Sequence, residues 1–323
     1  MRGRLWSFCL LVAAMSLPGS AFAADPPITA RIAMNFTWQS TFAPLLYGEE
    51  KGYFKAANIT TDILPTQGGD QSMQLLAAGK VDYAFTDGDS FLNATSKRKL
   101  DAVAVYVWLD TPTTDLAATT PLPSLTALSG KSVGTTTFST IALLLPYLLQ
   151  RNGIDPTAVP IRKADFSVLY PGFFRDEFDT VEVHAPGSWQ ALLVQAKKQG
   201  KELSLLRLAD FGLTSYDKLL IVNRAFIKSS PEDVKRVVTA LDKARADAVA
   251  RASDSEIGAQ MKSVMQQADE ATLVADWHDY KSVIKRPGPI DPKVLIESAE
   301  RLRETKIITD PLPPIDTLYQ NQM

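Results

Sequence analysis

Arg31 to Phe36, RIAMNF, then Thr37-Trp38-Gln39-Ser40, then Phe42 to Lys51, FAPLLYGEEK, with a stop at Gly52, is the stretch that decides the fold. A short apolar run, a polar tetrad and a helix former closed by glycine read as strand, loop, helix. The unit returns: Thr60 to Leu64 is strand-like, Gln67-Gly68-Gly69-Asp70 is a turn ending in an N-cap, and Gln71 to Ala78 carries Met73, Leu75 and Leu76 up to Gly79. Tyr83 to Thr86 and Ala102 to Trp108 are further strands, with the polar Asp87-Gly88-Asp89-Ser90 directly after the first. Such alternation predicts an α/β fold built on a mostly parallel sheet covered by helices.

Asp110 to Pro123 is rich in Thr and Pro and suits a crossing between two lobes. The pattern then restarts. Lys131 to Thr135 is a strand, Thr136 to Thr140 a loop, and Ile141 to Asn152 a very apolar helix in which Pro146 predicts a kink or a later start. Phe178 to Val183 and Leu203 to Leu208 are strands separated by a helix from Trp189 to Lys198, and Leu219 to Asn223 carries the chain back to the first lobe. Ser230 caps a helix running to Arg251, and Asp291-Pro292 opens another to Lys306 with Glu297 facing Arg301.

The 323 residues are 46% hydrophobic and 22% charged, which excludes collagen, low-complexity disorder and a polytopic membrane protein. Lys plus Arg is 34 against 36 for Asp plus Glu, without a basic run, so no nucleic-acid partner is expected. Arg2 and Arg4, the apolar run Leu5 to Leu17 and the small residues around Ala21-Phe22-Ala23 read as an export signal cleaved after Ala23, which places the mature chain in the periplasm. The single cysteine, Cys9, lies in that signal, so the mature chain is expected to have no disulfide, no thiolate ligand and no cysteine nucleophile. Neither a cofactor nor a metal site is expected.

Tyr47-Gly48-Glu49-Glu50-Lys51-Gly52-Tyr53-Phe54-Lys55 with Asn58 to Ile63, Gln74-Leu75-Leu76-Ala77-Ala78-Gly79-Lys80-Val81-Asp82-Tyr83-Ala84, Leu128-Ser129-Gly130-Lys131-Ser132-Val133-Gly134, and Ser229 to Arg236 resemble, in order, segments of periplasmic solute-binding proteins for nitrate, sulfonate, taurine and thiamine-pyrimidine uptake. The resemblance implies a type II periplasmic-binding fold, two α/β lobes joined by two hinge crossings, that delivers a small molecule to an ABC permease in the inner membrane and works as a monomer. Domains are expected at 1–23 (signal), 24–112 (first part of lobe I), 113–216 (lobe II) and 217–323 (return to lobe I and carboxy-terminal helices), with hinges near Asp110 to Thr114 and Phe211 to Tyr216.

Ligands of open α/β sheets bind beyond the carboxyl ends of the strands. That rule selects Thr37, Trp38, Gln39, Ser40, Phe42, Gly68, Gly69, Asp70, Asp87 and Asp89 from the first lobe. From the second it selects Thr136, Thr137, Phe138, Ser139, Glu182, His184, Ser188, Trp189 and Asp210. Plain structural roles stay open to them: packing for Trp38 and Trp189, an N-cap for Asp70, a turn for Asp87-Gly88-Asp89, a surface position for His184. These loops hold five carboxylates and no lysine or arginine, which favours a neutral or cationic planar heteroaromatic, thiamine-pyrimidine-like or vitamin-like, stacked on Trp38 or Trp189. A small anion such as sulfonate, taurine or nitrate, held on helix amides, is the alternative. Arg175 bears on the choice, because Tyr170 to Glu177 finds no place in the pattern.

An enzyme is not expected. His184, Ser188 and Asp179 are the one trio near enough in sequence to suggest a nucleophile system, outside any nucleophile-elbow motif. Pyrimidine-synthesising enzymes that resemble this family carry a cysteine-rich motif, and the mature chain has no cysteine. A sensor or adhesion subunit remains a further alternative to transport.

Overall fold

The computed structural model describes residues 26–321, apart from 138, 140 and 285–288. The export signal read at 1–23 and the cleft candidate Phe138 lie outside the described residues.

Among the described residues, ten strands form two five-stranded sheets. In chain order they are β1 (Ile28–Ala33), β2 (Ile59–Leu64), β3 (Tyr83–Thr86), β4 (Ala102–Leu109), β5 (Thr114–Ala118), β6 (Val133–Thr136), β7 (Ile161–Ala164), β8 (Thr180–His184), β9 (Ser204–Leu206) and β10 (Lys218–Asn223). The first sheet runs β2-β1-β3-β10-β4 and the second β7-β6-β8-β5-β9. Both are mixed, because β10 lies antiparallel to β3 and β4, and β5 antiparallel to β8 and β9. The mostly parallel arrangement read from the sequence holds, with four strands of each sheet running the same way; the strand that enters from the other lobe arrives without a crossover helix, so it can run in the opposite sense.

Twelve helices accompany them among the described residues: α1 (Ala43–Glu50), α2 (Tyr53–Ala56), α3 (Gly69–Ala77), α4 (Gly88–Arg98), α5 (Ile141–Arg151), α6 (Phe166–Phe174), α7 (Trp189–Lys198), α8 (Arg224–Ser229), α9 (Pro231–Arg251), α10 (Asp254–Val264), α11 (Glu270–Val283) and α12 (Pro292–Glu304). Period-2 alternation splits the first sheet into two faces. Tyr83, Phe85, Leu220 and Val222 point into a core closed by α1, α9, α10 and α11, whereas Ala84, Leu219 and Ile221 point into one closed by α3, α4 and α12. Along β4 the phase changes from Val103 and Val105 to Tyr106 and Trp108 on the first of these faces, at a register irregularity opposite Leu220 and Ile221. The second sheet is likewise covered on both faces, by α5 on one and by α6 and α7 on the other.

Where α1 crosses α9, a Cβ on Gly48 would stand 2.4 Å from the Cβ of Ala244. Backbone on both sides leaves nothing to rotate away. Gly48→Ala is therefore expected to lower stability by about 1–3 kcal/mol, read as a fall in the urea midpoint; an unchanged midpoint would show that the helices separate at no cost.

Most elements lie where the sequence places them, with ends shifted: β1 begins and ends three residues earlier than Arg31 to Phe36. Others need correction. Thr114–Ala118, read as part of a crossing, is a strand buried between β8 and β9. The tetrad Asp87 to Ser90 is the start of α4, not only a turn. Gly68, not Asp70, is the N-cap of α3, and Asp70 sits in the first turn bonded to Arg98 at 3.1 Å. The helix with Pro146 inside it starts at Ile141, so the later start is not taken. Ser230 makes no side-chain cap bond. Glu297 accepts from Thr214 at 2.9 Å while Arg301 turns inward to Asp89.

Candidate ligand-binding cleft

Between the sheets lies a cavity of about 50 Å³, counted as space open to the centre of a water molecule. One water needs roughly 10–15 Å³ by that measure, so the cavity has room for a small group of heavy atoms. Its walls are the carboxyl ends of parallel strands. Asn35, Phe36 and Gln39 follow β1, Gln67, Gly68 and Gly69 follow β2, and Asp87 follows β3. From the other lobe come Thr136 and Ser139 after β6, Phe166, Leu169 and Tyr170 after β7, and Glu182 and His184 on β8. Thr114 at the start of β5, Lys218 at the start of β10 and Asp217 just before it, where the crossings end, complete the wall.

Asp87 is the N-cap of α4, its Oδ1 accepting the Ser90 N–H at 2.8 Å. Burial first, and the neighbouring Asp89 second, push its carboxyl up to about 7. Gly69 is required beside it, since a Cβ there would stand 2.5 Å from Asp87 Oδ2 and 2.6 Å from Thr86 Oγ1. Across the gap, Glu182 accepts from Thr135 at 2.5 Å and from Ser139 at 2.6 Å and faces His184 Nε2 at 3.4 Å. Burial alone would raise Glu182 and lower His184. Their contact reverses both, aided at Glu182 by the two hydroxyls and at His184 by Asp217, leaving the carboxyl below and the imidazole above its ordinary range.

Asp217 joins the two crossings. Its Oδ1 accepts the N–H and the hydroxyl of Thr113 at 3.1 and 2.6 Å, and its Oδ2 meets Lys218 Nζ at 2.5 Å. Burial would raise this carboxyl, but Lys218 and His184 hold it low. The Lys218 ammonium also lies 5.7 Å from the Phe42 ring centroid.

Of the sequence-selected residues, Gln39, Gly68, Gly69, Asp87, Thr136, Ser139, Glu182 and His184 line the cavity. Others do not. Trp38 packs on the core under the first sheet, from the loop after β1, and Trp189 on that under the second, from the start of α7, so each ring covers apolar area of its own lobe. Ser40 donates to the Leu273 carbonyl, and Phe42 is enclosed by Phe85 and Trp108. Asp70 pairs with Arg98, Asp89 pairs with the buried Arg301, and Thr137 and Asp210 are exposed away from the cavity. Ser188 Oγ takes the Tyr170 hydroxyl at 2.8 Å and the His184 N–H at 3.1 Å. Asp179 holds Ser132 at 2.7 Å, so the trio of His184, Ser188 and Asp179 is not assembled.

Sequence reasoning missed the aromatic wall of α6, where Phe166 meets Phe36 edge-on at 5.0 Å and Tyr170 at 5.4 Å. Phe166-Ser-Val-Leu-Tyr170 does show an i, i+3, i+4 pattern, but Pro171 and Gly172 obscure it. Arg175 is exposed and paired with Glu177, outside the cavity. The expectation of a cleft without lysine or arginine is corrected: Lys218 lines the cavity from the head of an apolar run, outside the loops that follow the parallel strands.

A sequence model of the NMT1/THI5-like family matches residues 39–254, which span both sheets. The chain belongs to that family. No curated protein matches it. Among solved structures, the periplasmic aliphatic sulphonate binding protein SsuA of Escherichia coli is similar over 92% of this chain and 94% of its own at 15% identity and a TM-score of 0.72. SsuA of Xanthomonas axonopodis pv. citri, an alkanesulfonate-binding protein solved with MOPS, covers 92% and 100% at 16% identity and the same score. A Candida albicans gene product with the generic periplasmic binding protein fold covers 91% and 96% at 12% identity, with a TM-score of 0.68. This member of the NMT1/THI5-like family thus has the periplasmic-binding fold, two α/β lobes around a cleft, as its sequence resemblance implies. None of its described helices is long and apolar enough to cross a membrane.

Proposed function

We propose that the chain is the extracytoplasmic solute-binding subunit of an ABC importer, and that its cleft takes a small planar ligand, neutral or cationic, with N–H donors. Asp87 carries the reading. It is a cleft carboxylate that no lysine or arginine pairs among the described residues, held near 7 by burial and facing a cavity walled by Phe36, Phe166 and Tyr170. A ligand N–H or protonated ring nitrogen would supply the missing donor, and aromatic edges and faces suit a flat heterocycle. Glu182 and Asp217 are already satisfied by His184 and Lys218, so they leave the cleft close to neutral. Hinges at the two crossings, 110–113 and 207–217, would let the lobes close on the ligand, and a permease would receive it.

A sulfonate is the second reading. The amino end of α3 at Gly68-Gly69 opens on the cavity, Lys218 lines it, and two of the similar solved proteins are named for sulfonates. Titration calorimetry of the purified protein with an aminopyrimidine, an alkanesulfonate and nitrate separates the two. Pyrimidine binding that weakens about 10- to 100-fold in Asp87→Asn is expected; tight sulfonate binding, indifferent to that substitution, would replace the reading.

The same variant has a pH signature. An acid whose folded value is raised takes up a proton in the folded state between about 4 and 7, so wild-type stability declines as pH rises through that window. Asparagine also caps helices well. Without ligand, Asp87→Asn is expected to gain about 1–2 kcal/mol on the wild type between pH 5 and pH 8, discounted for the carboxyl's opening to the cleft. Parallel stability curves for the two proteins would disprove the buried-carboxylate account.

A further inference from the structure

The lobes also meet outside the cavity, where α11 of the carboxy-terminal helices reaches the loop between β8 and α7. Asp276, buried, accepts the backbone N–H of Gly187 at 2.7 Å. One turn along, Asp279 accepts from the Gln190 side chain at 2.7 Å. Gly187 has φ +140°, and a Cβ there would press on the Gln39 side chain at 3.2 Å and on His184 Cβ at 3.1 Å. The clasped loop therefore follows directly on His184, a cavity residue at the end of β8, and lies against Gln39, a cavity residue of the opposite lobe.

We infer that Asp276 and Asp279 are positioning residues that set ligand affinity from outside the cleft, by fastening the His184 loop to the first lobe in the closed arrangement. Both are acceptors on a helix packed into the first-lobe core through Leu273, Trp277 and Tyr280, so they stay with that lobe when the other swings away. Their hydrogen bonds exist only when the lobes are together, and contacts made in one state alone shift the population toward that state. Neither residue needs to touch the ligand. The inference rests on the two-lobed binding reading, yet its test needs no ligand, so failure of either is seen separately.

Spin labels at Leu64→Cys and Val168→Cys, both exposed and on opposite lobes beside cavity residues, in a Cys9→Ser background, report the distance across the cleft mouth by pulsed electron resonance. Asp279→Ala is expected to reduce the short-distance population relative to the longer one about 5- to 10-fold. Gln190→Ala should do the same, the double variant no more than either single, and Asp279→Asn, which keeps an acceptor oxygen, should restore most of it. Additive shifts, or one distribution shared by all variants, would overturn the inference. Asp276→Ala should act in the same direction if it folds; the Gln190 and Asp279 pair, partly exposed, decides the matter independently of it.

Discussion

Asp89→Ala is expected to cost about 3–5 kcal/mol of stability, because it strands a buried guanidinium. Asp89 is 1% exposed and Arg301 3%, with Nη2 at 2.5 Å from the carboxylate. Arg301 also donates to Ser298 at 2.9 Å and to the Thr214 carbonyl at 2.8 Å, but among the described residues its Nε and Asp89 Oδ2 meet no partner at hydrogen-bond distance. Such a pair adds little beyond a well-packed apolar substitute, yet either partner alone is costly. Urea unfolding should show a large loss in Asp89→Ala, a similar loss in Arg301→Ala, and a double variant far less destabilised than their sum. Additive losses would mean that the two groups do not share one energy. The pair fastens α12 to the first turn of α4, which explains why a carboxylate two residues from Asp87 plays no part in the cleft.

Lys218→Met is expected to cost a comparable 3–5 kcal/mol, since Asp217 would then keep a buried charge without its closest counterion. Lys218 is 2% and Asp217 8% exposed. The sign with pH follows from the direction of the Asp217 shift. A carboxyl held below its ordinary range contributes stability that is present above about 4 and is lost as pH falls through its folded value. The gap between wild type and Lys218→Met should therefore be widest near neutrality and narrow on acidification. Asp217→Asn/Lys218→Met should recover part of the loss. A gap that does not change with pH would separate the ammonium from the carboxylate energetically. Because Asp217 holds Thr113 across a sequence separation of 104 residues, its loss is also expected to loosen the two crossings against each other.

The alternation of apolar strands and capped helices was legible because it is local. Tyr83–Thr86, Trp189–Lys198 and the opening of α9 at Pro231 fall where their own residues place them. β5 was not, because Thr114–Ala118 is short and flanked by Pro and Thr, and becomes a strand only between partners on β8 and β9. In the cleft, the rule about strand ends found the loops but not which way their side chains turn. Asp87 and Asp89 are two residues apart at a helix start, so one faces the cavity and the other α12.

By itself the sequence determined the two-lobed α/β organisation and the loops that border the gap, since hydrophobic period, caps and glycine stops are properties of neighbouring residues. The tertiary structure alone decided which groups share the cavity. Lys218 reads in sequence as the edge of an apolar run and becomes the cation of the cleft because two crossings converge on it. Tyr170 becomes a wall because α6 packs over β6 and β8. Charge pairing and side-chain direction depend on contacts between residues far apart in the chain, and such contacts exist only once the two sheets have come together.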